Sequence, residues 1–76
     1  MREIKTGDLK VIAHRNISLL EKLLEKEPSP KVFLAKDECG NEYLVLEFSS
    51  GKLAFFSDGE YGDVPLCFIA KKIERE

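Results

Sequence analysis

The side chains capable of chemistry are few and scattered. The 76 residues include one histidine, His14, and two cysteines, Cys39 and Cys67, and the carboxylates cluster in one run, Asp58-Gly59-Glu60-Tyr61-Gly62-Asp63. A general base needs a substrate proton within reach and a neighbour that orients it. His14 falls where a strand gives way to a helix and reads as a surface or capping residue. Together with the cysteines it makes a ligand set one short of a structural zinc site, on separate elements. The cysteines lack metal or redox spacing and read as free thiols. The acidic run has the composition of a calcium loop, but an EF-hand alternates its ligands over a longer loop, closes on a glutamate and lies between two helices. Its carboxylates could share acid and base work only if their pKa values differed, and the sequence supplies nothing to separate them. A small metal-dependent hydrolase built on Asp58, Glu60 and Asp63 is therefore the weakest alternative. No serine or cysteine occupies a nucleophile elbow, and no glycine-rich turn opens a helix to cradle phosphate. The expectation is a protein that is not an enzyme and needs no cofactor and no metal.

Composition narrows the class further. A chain of 76 residues, 43% hydrophobic and 34% charged, forms a single domain over 1–76 with a small core. Abundant Lys and Glu, with no Gln or Trp, lean toward a thermophilic source. The N-terminal residues lack the apolar core of a signal peptide and no apolar run is long enough to span a bilayer, so a soluble cytoplasmic protein is expected. The net charge of −2 is unevenly spread: residues 1–36 carry +3, residues 37–63 carry −6 and residues 64–76 carry +1. An acidic middle segment disfavours nucleic acid and suits a basic protein partner.

The elements that position these residues follow from periodicity. Residues 1–7 form a lead-in ending at Thr6-Gly7-Asp8, and alternation from Leu9 to Ala13 predicts a first strand. Asn16 or Ser18 can cap a helix over Ile17 to Lys26, in which Ile17, Leu19, Leu20, Leu23 and Leu24 share one arc. Pro28 and Pro30 end it. Asp37-Glu38-Cys39-Gly40 predicts a three-residue hairpin loop, pairing Val32 with Leu46, Phe33 with Val45 and Leu34 with Leu44. Ser50-Gly51, read as a two-residue loop, pairs Leu53 with Phe48 and Phe55 with Leu46. A loop over residues 58–63 then leads to a final strand, Leu66 to Ala70, and a charged tail.

The expected fold is α+β: an antiparallel β meander of four to five strands with one amphipathic helix on one face, curled toward a small barrel in one variant. In this register the helix covers Val32, Leu34, Leu44, Leu46, Phe48, Leu53 and Phe55. The opposite face carries Phe33, Ala35, Tyr43, Val45, Ala54 and Phe56, with Glu47, and is largely apolar and without a cover. Curling, a homodimer or a foreign protein would each cover it. The function expected is a protein-interaction module of inhibitor, immunity or regulatory type, whose partner is another protein or a second copy of itself. Its contact residues would be Phe33, Tyr43, Val45 and Phe56 on the sheet with Asp58, Glu60, Tyr61 and Asp63 in the acidic loop. A structural homodimer using the same face is the first alternative.

Overall fold

The computed structural model describes residues 1–61 and 64–73, with the backbone alone at 58–61 and 64–66. In chain order the elements are β1 (Arg2–Glu3), a 3-10 turn (Thr6–Asp8), β2 (Leu9–His14), α1 (Ile17–Lys26), β3 (Lys31–Lys36), β4 (Glu42–Glu47), β5 (Lys52–Tyr61) and β6 (Val64–Lys72). They form an α+β fold with one six-stranded sheet in the order β1-β3-β4-β5-β6-β2. The sheet is mixed, because β1 runs parallel to β3, pairing Arg2 with Ala35 and Glu3 with Lys36. The expected meander is its centre, and β1 is an addition that two residues are too few to announce.

Helix α1 begins and ends where expected. The Asn16 side chain accepts a hydrogen bond from the Leu19 amide at 3.0 Å, satisfying one of the orphan donors of the first turn. Leu23 is buried and Leu19, Leu20 and Leu24 are half-buried, whereas Ile17, assigned to the same arc, is exposed at the first helical position. Just before the helix, Arg15 adopts a φ of 51° and donates its amide to the Cys67 carbonyl at 2.7 Å. This left-handed residue turns the chain from β2 onto the sheet face.

The first hairpin has the expected register, with Val32 opposite Leu46, Phe33 opposite Val45 and Leu34 opposite Leu44. The second differs by one residue: Leu46 faces Ala54 and Val45 faces Phe55. Both hairpins use the same three-residue loop. Gly40 donates to the Asp37 carbonyl and Asp37 to the Asn41 carbonyl, while Gly51 donates to the Phe48 carbonyl and Phe48 to the Lys52 carbonyl. Gly40 and Gly51 adopt φ of 88° and 92° at the bulge position, which a side chain would disfavour. The extra loop residue moves Leu53 and Phe55 to the face opposite the helix and brings Ala54 and Phe56 beneath it. The expected loop over 58–63 is also corrected in part. Strand β5 continues to Tyr61 after an irregularity between Ser57 and Glu60, and Glu60 pairs with Pro65 and Tyr61 with Val64. Gly62 and Asp63 lie outside the described residues.

The sheet is strongly coiled without closing into a barrel. Five strand spacings of about 4.8 Å would put the edges of a flat sheet about 24 Å apart. From Glu3 at one edge to Leu9 at the other there are six residue steps, at most about 21 Å if fully extended, and the 3-10 turn shortens them. The sheet therefore bends toward this strap. Its ends are fastened by Ile4 donating to the Lys36 carbonyl and Ile73 donating to the Asp8 carbonyl, each at 2.9 Å. On the concave side Ala35, Val45, Leu53, Phe55 and Ala70 form a buried cluster closed by Ile4, Leu9, Phe33, Tyr43 and Phe68. Phe55 and Phe68 stack at 4.7 Å, with Tyr43 edge-on to both. On the convex side Leu23, Phe48, Ala54 and Ile69 form a second cluster under α1. Phe55→Ala should cost about 3–5 kcal/mol, read by chemical denaturation, whereas Gly51→Ala should cost about 1 kcal/mol from backbone strain, since nothing lies within 4 Å of the added methyl group.

Candidate functional site

A helix about 10 Å wide and, at ten residues, about 15 Å long cannot roof all six strands of this sheet. Its neighbours on the convex face are Ala13, Leu46, Phe48, Ala54, Phe56 and Ile69. Strand β3 and the adjoining half of β4 are left bare. There Val32 is 60% exposed, Leu34 56% and Leu44 42%. The strip ends in a charged pair, Lys36 opposite Glu42, and borders Phe56, which lies opposite Leu44. A shallow cavity of about 360 Å³ opens between Met1, Leu34, Leu44 and Phe56.

The sheet residues expected to form one contact face are separated. Val45 is sealed in the concave cluster, Tyr43 is half-buried beside it, and Phe33 lies partly beneath the Arg2 guanidinium, 4.1 Å from its ring centre. Phe56 is on the other face under the helix. The concave surface is thus covered by the chain's own curvature and strap. The backbone of Asp58, Glu60 and Tyr61 is in β5, and their side chains, with the whole of Asp63, lie outside the described residues. A wider concavity of about 710 Å³ lies along the strap, rimmed by Arg2, Lys5 and the Lys72–Glu47 ion pair at 3.9 Å. Its floor, Leu53 and Phe55, is nearly closed to solvent at 4% and 0% exposure.

The acidic first hairpin is organised inward. The Asp37 carboxylate accepts hydrogen bonds from the amides of Cys39 and Asn41, the Asn41 side chain and the Tyr43 hydroxyl, at 2.9 to 3.1 Å. Burial pushes its pKa up, but these hydrogen bonds, from Asn41 above all, outweigh that and hold it below the ordinary value. Burial, with the hydrogen bond and negative charge of Asp37, pushes the Tyr43 phenol up. The Thr6 hydroxyl and amide both donate to the Glu38 carboxylate, tying the hairpin tip to the strap. The hydroxyl contact comes first among the causes that lower the Glu38 pKa.

The remaining reactive side chains stay apart. His14 is exposed, its ring 6.0 Å from that of Phe68. Burial pushes the Cys67 thiol up, opposite to the shift of an activated nucleophile. Among the described residues, no three His, Cys, Asp or Glu side chains gather as a metal site would require, and no helix is long and apolar enough to cross a membrane. The chain matches no family model, no curated protein and no solved structure.

The residues of the bare strip were missed as a site because alternation assigns a residue to a face without saying how far a helix extends across that face. The ratio of helix width to sheet width was the available signal. The carboxylates also give a pH dependence. Because Asp37 and Glu38 titrate lower folded than unfolded, their stabilisation is complete above their ordinary values of 3.8 and 4.5 and is lost as pH falls through the lowered ones. Melting temperature measured across acid pH should fall in that window. Asp37→Asn should melt lower at neutral pH and show a shallower acid limb; an acid limb parallel to the parent's would contradict this account.

Proposed function

We propose that this protein works by binding another protein chain, without chemistry of its own, and that the contact surface is the bare convex strip of Val32, Leu34 and Leu44. The observation that carries this reading is their joint exposure on two rigid, paired strands, where a solvated sheet surface would alternate toward polar side chains. Its class is that of small inhibitors, immunity factors and regulators, which act by covering a partner's surface. Asp37 and Glu38 keep their charge, but their oxygens are engaged by the chain's own donors and are not free to pair directly with a basic partner. Shape and apolar contact then carry recognition.

Photocrosslinking tests the surface directly. A benzophenone side chain installed at Leu34 should give a discrete protein adduct under native conditions. The same group at Glu25, on the exposed side of α1, should give none. Equal yields at the two positions would overturn the assignment.

A further inference from the structure

We propose that the chain docked on this strip is a second copy of the protein, related by a two-fold axis running parallel to β3 and β4 and passing between them. The inference rests on the docking role proposed above and names its partner. On the convex face the two strands present three residues each at matching heights: Lys36 beside Glu42, Leu34 beside Leu44 and Val32 beside Leu46. A two-fold along the strands turns one copy over onto the other without altering those heights. Lys36 then lies over the partner's Glu42 and Leu34 over the partner's Leu44, with the reverse contacts alongside, while Val32 meets the flank of the partner's α1, which partly covers Leu46. Opposite charges meet at one end and apolar side chains along the rest, the self-complementarity that an isologous contact demands.

The relief of the face fits the same arrangement. Stacked sheets lie about 10 Å apart and a helix is about 10 Å thick, so α1 of each copy stands beside the partner's sheet as a step of matching height. Convex faces meet along a narrow band. The contact therefore falls below the roughly 1,200 Å² of a standard interface and makes a reversible dimer.

Sedimentation equilibrium on the parent chain, Lys36→Glu, Glu42→Lys and an equal mixture of the two variants tests the pairing. The parent should approach twice its chain mass by about 1 mM. Each variant alone, with like charges over like, should associate about tenfold more weakly, and the mixture should recover association, which an effect confined to one chain would not do. A parent that stays monomeric at that concentration, or variants that gain nothing on mixing, would overturn the self-pairing. The crosslink at Leu34 separates the two levels. An adduct with a different protein beside a monomeric parent overturns the second copy as partner and leaves the docking role intact, whereas no adduct at Leu34 overturns both.

Discussion

The reach of the segment from Glu3 to Leu9 is the constraint on which the rest of the structure depends. It joins the two outermost strands of a sheet that, laid flat, would be wider than the segment can span. Coiling follows, and coiling makes the two faces unequal. The concave face closes on itself and can be wholly apolar without a second layer, which accommodates Phe55, Phe68 and Tyr43 as an aromatic stack. The convex face is the broader one, and a single short helix cannot roof it. One geometric requirement thus produces both the buried core and the exposed strip.

The first hairpin secures this arrangement from the other side. Asp37 is a turn residue with Gly three positions on, and the carboxylate that favours the turn also receives the Tyr43 hydroxyl from the concave aromatic cluster. Glu38, next in the chain, holds Thr6 at the start of the 3-10 turn. Two adjacent acidic residues therefore link loop conformation, core packing and strap position. Replacing either alters more than local charge, because partners on three elements share the same few oxygens.

Local chemistry in the sequence was enough to locate the helix, to narrow its cap to Asn16 or Ser18, and to find the first hairpin and the strand that begins at Leu9. The register of the second hairpin was not legible for a specific reason. Leu53-Ala54-Phe55-Phe56 places two phenylalanines side by side, so a slip of one residue exchanges one for the other and leaves the apolar pattern intact. What decides the register is the space beneath α1, where Ala54 is fully buried and a larger side chain has no room, together with the third loop residue required by the Gly51 bulge. The first is a tertiary fact, and the second is local turn chemistry that reading Ser50-Gly51 as a two-residue loop left out. The candidate site was half legible. An apolar sheet surface exceeding the cover available was evident, but the face on which it lies depends on the direction of coiling, set by a strap whose pairing with β3 involves only Arg2 and Glu3.

That slender attachment governs how the molecule comes apart. The hairpins from β3 to β6 are held by neighbours in sequence, whereas β1 is held by a two-residue parallel ladder and β2 by pairing with the far end of the chain. Release of β1 and the strap is therefore the least costly sub-global opening. It would uncover the Ala35–Lys36 end of the β3 edge and the rim of the aromatic cluster together, a surface open to pairing with other chains. The same short segment that gives the fold its curvature is thus a guard against misassembly during folding, when an uncovered strand edge is most exposed to self-pairing.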